Sequence, residues 1–264
     1  MAPTLPINIK GYYSIRRKLH DYKGPVCSVC FSHPHSTVPF DIYVGGDGNG
    51  KTGTGSNGYV DKSRNPITFP IGRNVLVHTW YDQSGNMNHA TMDDEPFQPY
   101  LDVYKKCLVF IHRRHLRLPD ASIPSDNSDY SIIAHYDNIW NPKGAIVGSG
   151  QYGTSMQTNC LRRHGTGFCH YWWGNDAQVY NAYRPYSIVG STYHSKEASR
   201  KIFVNDKLVY KSTDESMRNG CDINNTIGIA LPDEGLDGEL FTLIISDLAI
   251  DTIHIKRLID LQMI

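Results

Sequence analysis

The chain has 264 residues, 26 basic side chains against 26 acidic ones, and a hydrophobic fraction of 40%. That balance leaves no broad field to draw in nucleic acid or an anionic membrane, and no run nears the roughly 18 apolar residues that cross a bilayer. An apolar fraction below average, with 17 tyrosines, favours a single large β-domain with a wet outer face over a helical bundle.

Met1 to Lys10 is punctuated by prolines and is expected to form an extended N-terminal arm, with residues 11–264 as one domain. It lacks the charged and apolar regions of a cleavable secretion signal. Tyr12, Ile15 and Leu19 have helical spacing, so Gly11 to His20 is expected to be a short helix with Arg16, Arg17 and Lys18 on its wet face. Tyr22 to Phe31 is expected to be a strand. It carries Cys27 and Cys30, with His33 and His35 close behind. Zinc would need convergent ligands at about 2.0–2.3 Å, whereas residues three apart on a strand diverge. No metal and no cofactor is therefore expected, and the six cysteines are taken as buried free thiols.

Phe40 to Val44 is a further strand. The stretch Gly45 to Thr52 then matches the letters of a phosphate-binding loop. Such a loop must open a helix, and Gly53-Thr54-Gly55-Ser56-Asn57-Gly58 cannot continue as one when each interior glycine costs about 1 kcal/mol. A calcium loop from Asp47 fails as well, because Gly58 stands where the bidentate glutamate belongs. A long surface loop is the expectation.

Val75 to Tyr81 alternates as a half-buried strand does. It runs straight into a polar corner in which Asp82, Ser84, Asn86 and Asn88 can turn side-chain oxygens onto nearby backbone, and Gly85 can supply a positive φ. Further strands are expected at Cys107–Ile111, Leu116–Leu118, Tyr130–Tyr136 and Gly144–Ser149, with the basic turn His112 to His115 between the first two. Phe168 to Trp173 is a strand ending in Gly174-Asn175-Asp176. Aromatic rings beside amide and carboxylate groups are the furniture of a sugar site, so Tyr171, Trp172, Trp173, Asn175 and Asp176 are candidate ligand-binding residues. Alternation on a strand would nevertheless send one tryptophan into the core. Tyr186–Tyr193, a hairpin over Arg200–Lys211 turning at Asn205-Asp206-Lys207, Thr226–Ala230 and Glu239–Ile245 complete the strands, and Thr252 to Met263 has the apolar spacing of a final amphipathic helix. The whole is read as an all-β, two-sheet antiparallel sandwich with short peripheral helices.

Trp80, Tyr81, Asp82, Gln83, Ser84, Gly85, Asn86, Asn88 and His89, through Thr91, resemble the signature corner of a concanavalin A-like, laminin-G-like jelly-roll family. That family includes the catalytic domain of fungal family 54 α-L-arabinofuranosidases and many non-enzymatic modules of bacterial, phage and large DNA virus proteins. The runs Tyr13–Leu19 with Tyr22–Val26, and Leu236–Phe241 onward, are similar to the family's opening and closing segments. The resemblance implies a nucleophilic glutamate at the end of the Phe168–Trp173 strand, where this chain offers only Asp176, and an acid in the loop after Ile227-Gly228-Ile229, where Asp233 stands. A retaining glycosidase needs both carboxyl groups about 5–5.5 Å apart, and the family's adjacent cysteine pair is missing as well. The expectation is therefore a non-catalytic structural or interaction module, a virion or capsid-associated protein assembled in host cytoplasm. Its partners would be other protein subunits of an assembly, with glycans as a further class, and no nucleic acid and no membrane span. A lectin-like module and a glycoside hydrolase using Asp176 and Asp233 are the alternatives.

Overall fold

The computed structural model describes residues 8–16, 22–32, 36–45, 58–69, 74–213, 223–260 and 264. Antiparallel strands dominate and fold into two layers. In the first layer the order across the sheet is Ile9–Ser14, Gly238–Ser246, Tyr130–Asp137, Ser187–His194, Ser199–Val204 and Lys207–Ser212. The second runs from Ser36–Val44 through Cys27–Phe31 to Val75–Trp80, then by way of Ala90–Thr91, Leu116–Arg117 and Thr226–Ile227 to Ala145–Gly150, Thr158–His164, Gly167–Tyr171 and Ala177–Val179. The strand Cys107–Phe110 joins the layers, pairing with Tyr100–Asp102 on one side and with Gly238–Leu240 on the other.

Alternation decides which face each residue serves. Along Tyr130–Asp137, Tyr130, Ile132, Ala134 and Tyr136 enter the core between the layers, and Ile133 points outward. Ile133 is buried all the same, because Ile244, Phe203, Tyr12 and the helix Thr252–Asp260 cover that outer face. The helix starts where Asp251 Oδ1 accepts from Ile253 and His254 N–H at 3.0 and 3.2 Å. It buries Ile255 and Leu258, worth about 1.5–3 kcal/mol each. The outer face of the second layer carries a smaller apolar cluster of Ala145, Cys160, Cys169 and Tyr171, with Tyr152, Trp173 and Ala230 packed against it.

Two expectations are corrected here. The N-terminal arm ends earlier than Lys10, and no helix begins at Gly11, because Ile9–Ser14 is a strand paired with residues 242–246. The helical spacing of Tyr12 and Ile15 yields to tertiary pairing: Tyr13 enters the main core, and Tyr12 lies on the opposite face under the helix. Residues 46–57, which hold most of the glycine-rich stretch and Lys51, lie outside the described residues. The chain leaves and re-enters that stretch as antiparallel neighbours, with Tyr43 opposite Val60 and Gly45 N–H donating to Gly58 O at 2.9 Å. Cys27, Cys30, Cys107, Cys160 and Cys169 are buried and free. Among the described residues, no His, Cys, Asp and Glu side chains gather in a group that could hold a metal ion. No helix there is long and apolar enough to cross a membrane.

Candidate functional site

Two polar constellations stand out. The first is the corner after Val75–Trp80. Asp82 is 1% exposed, and Oδ1 accepts from Tyr12 N–H at 3.0 Å and Ser84 N–H at 2.8 Å. Its Oδ2 accepts from Ser84 Oγ at 2.8 Å and from Asn88 N–H at 3.1 Å. Gln83 donates to Ser14 O at 2.5 Å, and Asn86 and Asn88 side chains donate to Ile9 and Lys10 carbonyls. Tyr13 Oη returns a hydrogen bond to Asn88 O, and Tyr81 Oη reaches Asp41 at 2.7 Å. His89 Nδ1 accepts from Asp82 N–H at 3.1 Å, and its ring meets Tyr81 edge-on at 4.9 Å. Burial lowers the His89 pKa, with Asp82 partly offsetting it, which suits a ring that accepts at Nδ1. These residues tie the edge strand of one layer to the second layer, and Trp80 is fully buried beneath them.

The second constellation lies on the outer face of the second layer. In the hairpin Thr158–Tyr171, Cys160 pairs with Tyr171 and Arg162 with Cys169, so these four side chains share a face. Arg162 stacks 4.1 Å from the Tyr171 ring centre and forms a buried ion pair with Glu234, their side chains 9% and 7% exposed. Tyr152 folds over this face from the loop after Gly150, lying near parallel to Tyr171 at 6.5 Å and edge-on to Trp173 at 6.3 Å. Gly148 makes room for it, since a Cβ there would sit 2.7 Å from Tyr152 Oη. Among the described residues, three buried polar atoms at this centre have no hydrogen-bond partner: Glu234 Oε2, Arg162 Nε and Tyr152 Oη. Trp173 holds a left-handed φ of 58°, a strained conformation for so bulky a residue.

The electrostatics are those of a dry, crowded surface. Burial drives the Tyr152 and Cys160 pKa values up, and burial with Asp176 pushes Cys169 to about 12, so both thiols stay protonated and un-nucleophilic near neutrality. Burial pulls the Arg162 pKa down, but the charge and hydrogen bond of Glu234 help to keep the guanidinium above its ordinary range.

The expected site residues divide accordingly. Tyr171 and Trp173 come together, and Asp176 is close enough to bear on Cys169 and Tyr171. Trp172 is corrected: it is fully buried on the opposite face, donating from Nε1 to Tyr130 Oη at 2.8 Å, because it alternates with its neighbours. Asn175 is turned onto Arg200, accepting at its main-chain oxygen at 2.8 Å and at Oδ1 at 3.0 Å. Asp176 Oδ1 accepts from Trp172 N–H at 3.0 Å and so closes the turn. Asp233 does not face the centre. Its side chain is 73% exposed beside Lys143 at 3.9 Å, and the next residue, Glu234, is the one that enters. Sequence reasoning missed Glu234, Arg162 and Tyr152. The usable signal was Arg162 alternating with Cys160 ahead of the turn His164-Gly165-Thr166-Gly167, the pattern of a hairpin whose outward face is filled by long side chains.

No family model and no curated protein matches the sequence. Solved structures do. A GH54 α-L-arabinofuranosidase soaked with a cyclic sulfate inhibitor superposes over 93% of this chain with a TM-score of 0.64 at 12% identity. The fold is that of the GH54 α-L-arabinofuranosidases. An arabinofuranosidase complexed with arabinofuranosyl-α-1,2-xylobiose gives a TM-score of 0.65 over 95% of the chain, again at 12% identity. The chain spans about three fifths of the length of these GH54 structures, 60% and 61%. The carbohydrate-binding module CBM40 of a Ruminococcus gnavus sialidase, bound to α2,3-sialyllactose, overlaps only 49% of this chain at a TM-score of 0.42.

Proposed function

We propose that this chain is a carbohydrate-binding β-sandwich module whose ligand docks on the outer face of the second layer, over Trp173, Tyr152, Arg162 and Glu234. The observation that carries this is the pair of half-buried rings Tyr152 and Trp173, edge-on at 6.3 Å, seated over the buried Arg162–Glu234 pair. Half-buried aromatic rings offer the flat apolar surface on which the C–H face of a sugar stacks. Structures of this fold include one soaked with 4-nitrophenyl α-L-arabinofuranoside and one complexed with arabinofuranosyl-α-1,2-xylobiose, which supports a saccharide in particular. The module is proposed to be non-catalytic: Glu234 spends one oxygen on Arg162, Asp176 spends one on a main-chain N–H, and Asp233 faces away. The further expectation of a virion component rests on the family resemblance and sequence composition and stands second.

Calorimetric titration with arabinofuranosyl-xylobiose, with a parallel assay on 4-nitrophenyl α-L-arabinofuranoside, tests the proposal. Saturable binding lost in Trp173→Ala, with no nitrophenol released, is the expected result. Release that disappears in Glu234→Gln would make the chain an enzyme, and absence of binding to any glycan would return it to the class of protein-interaction modules.

A further inference from the structure

The sandwich has an open side. Among the described residues, Ala177–Val179 pairs only with Gly167–Tyr171, and Lys207–Ser212 only with Ser199–Val204, so the two layers end in unpaired edges that face each other. Between them lies a cleft of about 440 Å³ lined by residues 179–182, 184, 204–207 and 209. We propose that this cleft is a second ligand site, separate from the outer-face centre, and that it takes a saccharide carrying a carboxylate.

The chemistry of the lining selects that class. Tyr180 is 61% exposed and its ring is held in place, Oη donating to Gln178 at 2.8 Å and the ring meeting His164 edge-on at 5.8 Å. It is a fixed flat surface of the kind sugars stack on. Asn181 and Asn205 have their backbones pinned, Asn181 N–H to Thr166 Oγ1 at 3.1 Å and Asn205 N–H to Ile188 O at 2.8 Å. Arg184 spends Nη1 on the carbonyls of Asn181 and Tyr183, at 3.1 and 2.7 Å, which orients its planar head. Among the described residues Arg184, Lys207 and Asp206 form no ion pair, so the cleft presents two uncompensated cations against one anion, and an anionic group on the ligand redresses that excess.

A β-strand from a partner is the other occupant that an open edge invites, and this edge is built against it. Lys207 and Lys211 punctuate the strand, its register slips by a bulge opposite Ile202 and Phe203, and the facing edge is three residues long. Lysines, bulges and short edges are the features that discourage edge-to-edge pairing. Recognition here therefore falls to side chains.

Titration of the whole chain with α2,3-sialyllactose and a glucuronate-bearing xylo-oligosaccharide, each set against its neutral counterpart, lactose or xylotriose, tests the proposal. At least one acidic probe is expected to bind about tenfold or more tighter than its neutral partner, and Tyr180→Ala and Lys207→Ala each to lower that affinity several-fold. Lys207 is exposed and its side chain makes no hydrogen bond among the described residues, so truncating it leaves the fold intact; Arg184→Lys, which keeps the charge and loses the planar fork, should weaken binding too. Trp173→Ala should leave it unchanged. Acidic probes that bind no better than neutral ones, or affinity indifferent to both Tyr180→Ala and Lys207→Ala, overturn the proposal. So does affinity that vanishes with Trp173→Ala, which would move the ligand to the outer face.

Discussion

The corner at residues 82–89 and the outer-face centre around Glu234 each bury a carboxylate, yet the two carboxylates are held differently. Both Asp82 oxygens are filled, by donors from the strand Ile9–Ser14 and from the turn itself, whereas among the described residues Glu234 has a partner on one oxygen only, Arg162. A buried carboxylate filled on both oxygens serves to fix structure, whereas one held through a single ion pair leaves part of its desolvation cost unrecovered.

Asp82→Ala should break the contrast most severely. It orphans Tyr12, Ser84 and Asn88 N–H groups together, and a loss of about 3–5 kcal/mol in urea-unfolding stability is expected. At the outer-face centre, Glu234→Gln alone should cost a similar amount by leaving Arg162 uncompensated. The double change Arg162→Met with Glu234→Leu should match the parent or exceed it by about 1–4 kcal/mol while abolishing glycan binding. A double variant that unfolds would show the pair to be structural and erase the distinction.

Acid should act on the corner through His89. Its pKa is depressed in the folded state, so its contribution is present above the ordinary histidine value of 6.5 and is lost as pH falls through the folded value, when protonated Nδ1 can no longer accept from Asp82 N–H. Equilibrium unfolding measured across this range should show stability declining, and His89→Asn, which keeps an acceptor in place, should flatten the decline. The smallest effect on stability belongs to Trp173→Gly. Relief of its left-handed backbone offsets the lost ring packing to within about 1 kcal/mol, while glycan binding is lost as in Trp173→Ala.

The corner was legible in the sequence because its chemistry is local: Asp82, Ser84 and Asn88 lie within six residues and fold onto one another. Strands such as Tyr130–Asp137, and the hairpin across Asn205, were legible from alternation and turn residues. Ile9–Ser14 was not, because its partners are more than 200 residues away at Gly238–Ser246 and its helical spacing is incidental. Thr158–His164 was hidden by two arginines that suggest a wet surface, though Arg162 is buried against Tyr171. Glu234 was overlooked for its neighbour Asp233, since which of two adjacent carboxylates turns inward is set by a loop held through Asn141 and Ala145, not by residue type.

The helix Thr252–Asp260 gives the molecule a front and a back. By sealing the outer face of the first layer with Ile255 and Leu258, it removes that sheet surface from any encounter and leaves recognition to the opposite face and the open side. Molecules immobilised through the helical side would thus all display the proposed sugar-recognising surfaces outward, whereas attachment through the face bearing Trp173 would block that proposed site. Orientation on a support, and not only the amount of protein there, would govern how much ligand the layer captures.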